Sequence, residues 1–325
     1  MEEQLFQQRT DLSSLQAAVE NLKNEIGKVI VGQEKMVELL LAGLLADGHV
    51  LIEGVPGVAK TLTAKLLARA VSTGFSRIQF TPDLMPSDVT GTSVFNPKET
   101  VFQFRHGPIF SNIILIDEIN RAPAKTQAAL FEVMEERQVT VDGATYQLQI
   151  PFMVVATQNP IEQEGTYHLP EAQLDRFLFK INVSYPSLEE ELRVLMHHHT
   201  SSLENMVHEV QPVLSAQQLK ELRDQVRDIH VEEKLLRFIT SLVAGTRTNK
   251  NIYLGASPRA SIGILNGAKA LAAMRGRDFV TPDDIVYVVP AVLRHRIVIT
   301  PEKEMEGSSA DSIIEQLIQS IEIPR

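Results

Sequence analysis

The chain has 325 residues, a formal net charge of -10 and an apolar fraction of 44%. One domain typically takes roughly 100–200 residues, so this length suggests more than one, with enough apolar residues for sizeable cores. Cysteine is absent, which excludes disulfides and thiolate metal sites. The acidic start Met1-Glu2-Glu3-Gln4 is unlike a secretory leader, and no apolar run is long enough to span a bilayer. A cytoplasmic protein without a direct membrane span is expected, and the acidity argues against a nucleic-acid groove.

Residues 1–30 form an N-terminal helical segment. Within it Leu12, Leu15, Val19, Leu22, Ile26 and Val29 recur at three and four residues, the spacing of one helix face. A second helix runs from Gln33 and stops at Asp47-Gly48. Apolar runs at 49–53, 76–81, 112–117, 152–157 and 178–183 then alternate with helical stretches. That alternation predicts a parallel five-stranded sheet covered by helices on both faces, spanning 31–185. Ligand loops in such a sheet lie at the carboxyl ends of the strands.

The first strand ends in Gly54-Val55-Pro56-Gly57-Val58-Ala59-Lys60-Thr61, with Leu62 opening the next helix. A glycine-rich turn between a strand and a helix converges backbone N–H groups on phosphates. Lys60 has the reach for the outer phosphates, and the Thr61 hydroxyl suits Mg²⁺. Ala59 stands where the usual pattern has its second glycine. Its methyl is tolerable because only the backbone need approach the ligand.

Ile113-Ile114-Leu115-Ile116 leads into Asp117-Glu118. Asp117 is placed to hold Mg²⁺ beside Thr61, and Glu118 to polarise a water for attack on a γ-phosphate. Val154-Val155-Ala156-Thr157-Gln158-Asn159-Pro160 is a strand ending in a polar residue before a proline. Asn159 is either a turn former or the residue that orients the attacking water, and the order of motifs favours the second.

Two stretches interrupt the alternation. Residues from about Asp83 to His106 carry turn residues and two β-like pieces, and 138–150 reads as a hairpin turning at Asp142-Gly143. After Tyr185-Pro186 the strand signals fade, and 186–325 reads as an all-helical domain. Ser187-Leu188-Glu189-Glu190 and Ser215-Ala216-Gln217-Gln218 are capping boxes, and Thr281-Pro282-Asp283-Asp284 is a helix start. His197-His198-His199 is a poor chelating set, because adjacent helical residues diverge, and reads as a solvated helix end. A last amphipathic helix at 311–322 either packs back on that domain or binds a partner.

These motifs in this order, with Leu174-Asp175-Arg176-Phe177 and Gly255-Ala256-Ser257-Pro258-Arg259, resemble the AAA+ ATPases. The wording Gly107-Pro108-Ile109-Phe110, Asp117-Glu118-Ile119-Asn120-Arg121-Ala122-Pro123 and Met134-Glu135-Glu136-Arg137-Gln138-Val139-Thr140 is similar to the MoxR family. The resemblance runs from about Ile30 to about Arg296. It implies a P-loop AAA+ core with a helix-2 insert, a β-hairpin often directed toward a central pore, and a helical lid domain. It implies ATP and Mg²⁺ as cofactors, with Ile30 and Val31 near the adenine, although these two also read simply as a helix end with a glycine stop. It assigns Arg259 as the lid's sensor arginine and Arg176 as a finger serving a neighbour in a homo-oligomeric, usually hexameric, ring. For Arg176 the bland alternative is an intramolecular salt bridge with Asp175 or Glu171, and Arg121 is a second candidate to face a neighbour. The implied function is a chaperone that remodels a client protein, in some relatives with a von Willebrand factor A domain partner. A chelatase-type motor subunit and a nucleic-acid motor of the MCM-related type fit the same motifs. The hairpin argues against the latter, because 138–150 contains no Lys or Arg, a poor tool for gripping phosphates. The expected result is no gel shift with DNA at physiological salt and no rise in ATP turnover on adding DNA. A salt-dependent shift with stimulated turnover would favour the nucleic-acid motor.

Overall fold

The computed structural model describes residues 11–160, 167, 169–200 and 202–324. The start Met1-Glu2-Glu3-Gln4, and with it the first ten residues of the 1–30 segment, lies outside the described residues. Helices α1 (Ser13–Gly27) and α2 (Glu34–Leu45) lead into strand β1 (His49–Gly54), and α3 (Lys60–Ala70) follows. Next come β2 (Phe75–Gln79), the short α4 (Pro86–Thr90), and a hairpin of β3 (Gly91–Asn96) and β4 (Val101–His106). Strand β5 (Ile113–Asp117) passes through a 3-10 turn at Ile119–Arg121 into α5 (Ala124–Glu136). A second hairpin, β6 (Gln138–Val141) and β7 (Ala144–Gln147), precedes β8 (Met153–Gln158). The one-turn α6 (Glu171–Leu174) then leads to β9 (Phe177–Val183).

The C-terminal region carries α7 (Leu188–Thr200), α8 (Leu203–Glu209), α9 (Ala216–Arg227) and α10 (Glu233–Thr248). Strand β10 (Ile252–Leu254), α11 (Pro258–Met274), α12 (Pro282–Leu293), β11 (Val298–Ile299), α13 (Pro301–Met305) and α14 (Ala310–Ser320) complete it. The region is helical except that β10 and β11 pair antiparallel, a pairing too short to announce itself in the sequence. Among the described residues no helix is long and apolar enough to cross a membrane.

The five-stranded sheet has the order β2-β5-β8-β1-β9, and every pairing is parallel. Parallel strands are buried on both faces, which is why these segments read as continuous apolar runs. Successive side chains go to opposite faces. Ile113 and Leu115 therefore join one core with α1, α2, α3 and the lid helices, while Ile114 and Ile116 join a second core under α5. The first core is continuous across the 185/186 junction, because Ile264, Leu271, Val288 and Val292 of α11 and α12 share it with α2 and β9. In α14, Ile313, Ile314, Leu317 and Ile318 are buried, so that helix packs on the lid.

Local chemistry sets the ends of the elements. The boxes at Ser215 and Thr281 are formed. At Ser187 the backbone N–H donates to Glu190 Oε2 at 2.7 Å. Asp142 (φ 51°) and Gly143 (φ 78°) both lie in the left-handed region, as a type I′ hairpin turn requires. Beside the sheet, His49 Nδ1 accepts from the Val154 N–H at 3.0 Å, and its Nε2 bonds the Met134 carbonyl at 3.1 Å. The ring is thereby fixed as a neutral imidazole, and burial pushes its pKa down to about 4. The buried His295 is shifted the same way, chiefly by burial and then by the adjacent Arg296.

Below pH 6.5 the unfolded chain takes up a proton that the folded His49 refuses, so stability falls as the pH drops from about 6.5 toward about 4. Above that window this contribution is flat. Urea titrations at pH 7 and pH 5 should therefore differ, with His49 alone accounting for a loss of about 2 kcal/mol at the lower pH.

Candidate functional site: a nucleotide cleft at the carboxyl ends of the strands

The loop after β1 wraps the N-terminus of α3. Gly54 sits where β1 meets β9, and a Cβ there would come within 2.8 Å of the Val183 carbonyl. Gly57 (φ 88°) and Ala59 (φ 61°) both take left-handed backbone, which turns successive N–H groups toward one side. For Ala59 this conformation costs about 1–2 kcal/mol. Its carbonyl is held in place by the Thr63 N–H and hydroxyl, both at 2.9 Å. Lys60 Nζ donates to the Gly54 carbonyl and to the Gln158 carbonyl at 3.4 Å, lying across the ends of β1 and β8.

Asp117 closes β5 and is buried. Its carboxylate accepts from Arg77 Nε at 2.6 Å, from the Thr157 hydroxyl at 3.0 Å and from the Thr61 hydroxyl at 3.3 and 3.4 Å. Glu118 follows in left-handed backbone (φ 56°), so its side chain turns out of the strand. Its backbone N–H donates to the Thr157 hydroxyl at 3.1 Å, and its Oε2 accepts from Gln79 Nε2 at 2.7 Å and pairs with Arg121 at 3.2 Å.

These groups line a cleft of about 700 Å³. Of the residues singled out in the sequence, Ile30, Val31, Pro56, Gly57, Val58, Ala59, Lys60, Thr61, Leu62, Asp117, Glu118 and Asn159 all line it. Gly54 and Val55 sit at the root of the loop, outside the lining. The oxygens of Thr61 and Asp117 suit a hard cation that keeps several waters and takes the rest of its shell from phosphates, the habit of Mg²⁺.

Arg176 and Arg259 do not enter this cleft. Arg176 Nη1 donates to the Phe131 carbonyl at 2.6 Å, and its Nε lies 3.8 Å from Glu135. Arg259 donates to the same Glu135 at 2.8 Å. Arg259, the lid arginine expected as a sensor, thus stands outside the cleft lining, paired with Glu135. Neither Asp175 nor Glu171 is Arg176's ion-pair partner; Asp175 is engaged by Arg296 and Ser257.

Sequence reading missed several lining residues. Arg77 and Gln79 stand two apart on β2, and Thr157 lies near the end of β8. The rule that ligands gather at strand carboxyl ends points at them once the strand order is known. The lining also includes Glu191, Val194, His197 and His198 of α7; the three histidines form the last turn of that helix, His197 half-buried and His198 and His199 exposed, a solvated helix end that borders the cleft. Among the described residues no cluster of three metal-ligating side chains occurs.

A doubly covered parallel sheet, a phosphate loop, paired carboxylates on the adjacent strand and a helical lid define a P-loop nucleoside triphosphatase of the AAA+ class. The family described as "ATPase family associated with various cellular activities (AAA)" matches residues 49–179, and the AAA lid domain matches 244–317. The chain is 48% identical over 302 residues, 92% of each chain, to uncharacterized protein YeaC of Bacillus subtilis. It is 46% identical over 310 residues to chaperone MoxR1 of Mycobacterium tuberculosis, covering 93% of this chain and 81% of the relative. A crystal structure of a Cytophaga hutchinsonii protein superposes with a TM-score of 0.89 at 43% identity, covering 97% of each chain. The chain belongs to the MoxR family of AAA+ ATPases.

Lys60→Ala removes the cation that spans the ends of β1 and β8 at the loop. Titration with a fluorescent ATP analogue should show nucleotide binding lost. Binding as tight as the parent's would overturn the assignment of the loop.

Proposed function

We propose that the chain hydrolyses ATP with Mg²⁺ in a homo-oligomeric, hexameric ring, and that the cycle remodels a client protein. The observation that carries the hydrolytic reading is the left-handed turn at Glu118. It separates two adjacent carboxylates, leaving Asp117 buried with Thr61 and Thr157 while Glu118 opens onto the cleft. Thr61 and Asp117 would hold Mg²⁺, which when bound draws charge from the β- and γ-phosphate oxygens. Backbone N–H groups of the loop and Lys60 bind the phosphates and oppose the charge that builds as the terminal phosphoryl group leaves. Glu118 takes the proton of the attacking water, and Asn159 at the end of β8 orients that water.

A cation on the open side of the γ-phosphate is assigned to a neighbouring subunit. Arg176 and Arg259 both stand outside their own cleft and meet at Glu135, which supports a shared role across a boundary. Such a finger contributes about a thousandfold or more in rate. The chaperone role rests on the name of the MoxR1 relative. A protein carrying a von Willebrand factor A domain is the partner this reading expects.

Glu118→Gln should bind Mg-ATP with near-parental affinity and hydrolyse it at least about a hundredfold more slowly, the usual worth of a general base. Arg176→Ala should bind ATP and turn over slowly. Mixing the two inactive variants creates interfaces where an intact Glu118 meets an intact Arg176, and turnover should return. A mixture as inactive as either parent, with subunit exchange confirmed by labelled sizing, would show that Arg176 does not act across the boundary.

A further inference from the structure

The turn that carries Arg176 is held by the lid. Asp175 Oδ1 accepts from Arg296 Nε at 2.7 Å, and Oδ2 accepts from the Ser257 hydroxyl at 3.0 Å. The Asp175 carbonyl accepts from Arg296 Nη2 at 3.0 Å. Arg296 is 4% exposed at its side chain. Its remaining bonds go to the carbonyls of Phe177 (2.6 Å), Leu178 (3.2 Å) and Val292 (2.6 Å). Ser257 caps α11 by accepting from the Arg259 N–H at 3.2 Å. The circuit closes at Glu135, which takes Arg259 at 2.8 Å and lies 3.8 Å from Arg176.

A buried ion pair is a poor way to gain stability, since apolar packing of similar volume often serves the fold as well. What the pair adds is direction. Both carboxylate oxygens and the carbonyl of Asp175 are claimed by two separate lid segments, and the next residue is Arg176. We propose that Asp175 is a positioning residue through which the lid sets the stance of Arg176 toward the neighbouring subunit's nucleotide. The proposal rests on the reading that Arg176 serves a neighbour.

The test uses two subunit types. Donors carry Glu118→Gln and supply only the finger; acceptors carry Arg176→Ala and supply only the base. Ser257→Ala, which removes the hydroxyl on Asp175, is placed in one type at a time. In donors it should cut the turnover restored by mixing by roughly tenfold, since misplacement by about an ångström costs up to about a hundredfold. In acceptors it should leave restored turnover within about twofold, because the acceptor's own finger is already gone. Ser257→Thr in donors keeps a hydroxyl and should recover the parental mixture. Ser257→Gly, which an N-cap tolerates well, should repeat the donor effect if Ser257→Ala folds poorly by its thermal midpoint. Equal loss in donors and acceptors, or no loss in donors, overturns the proposal while the trans reading stands. A dead mixture of the unmodified donors and acceptors overturns both.

Discussion

Parallel pairing forces every strand of the central sheet to end at the same edge. Gly54, Asp117 and Gln158 are therefore near neighbours although they are scattered over about a hundred residues. The same pairing demands cover on both faces, which the alternating side chains of β1, β5 and β8 obtain from two separate cores. Little of the site is built by loops alone. Asp117 is fixed by its strand, by Thr157 of the neighbouring strand β8 and by Thr61 of α3, the helix that follows β1, so these oxygens inherit the rigidity of the sheet.

The strands were legible because complete burial writes itself as unbroken Val, Ile and Leu, and each boundary falls within two residues of the pattern. Gly54 through Leu62 were legible because a phosphate loop is a local object whose backbone path and side chains are adjacent in the chain. Arg77, Gln79 and Thr157 were not, because their meaning comes from neighbours on other strands. Glu135 is the clearest case. The motif that contains it gives it no role, yet it gathers two arginines from distant parts of the chain, Arg176 and Arg259. The antiparallel pairing of β10 with β11 escaped for another reason: strands of three and two residues carry too little periodicity to register.

The lid is joined to the core by more than apolar contact. Strand β9 lies at the end of the sheet and would present unpaired backbone groups. Three consecutive residues, Arg294, His295 and Arg296, bond the carbonyls of Lys180, Phe177 and Leu178. Side-chain donors thus do the work of a sixth strand. Burial keeps His295 neutral beside two arginines, so the edge is covered without a third adjacent charge.

The two hairpins are also joined. Phe104 of β4 stacks on Tyr146 of β7 with ring centroids 4.3 Å apart, and His106 of β4 meets the same Tyr146 edge-on at 5.9 Å. A two-stranded ribbon by itself is marginal in water. Linked through their aromatic faces, the ribbons brace each other and share two roots in the sheet. One root leads from β4 into β5 and Asp117, and the other from β7 into β8 and Asn159. The joined hairpins are accordingly anchored on two adjacent strands whose carboxyl ends border the nucleotide cleft.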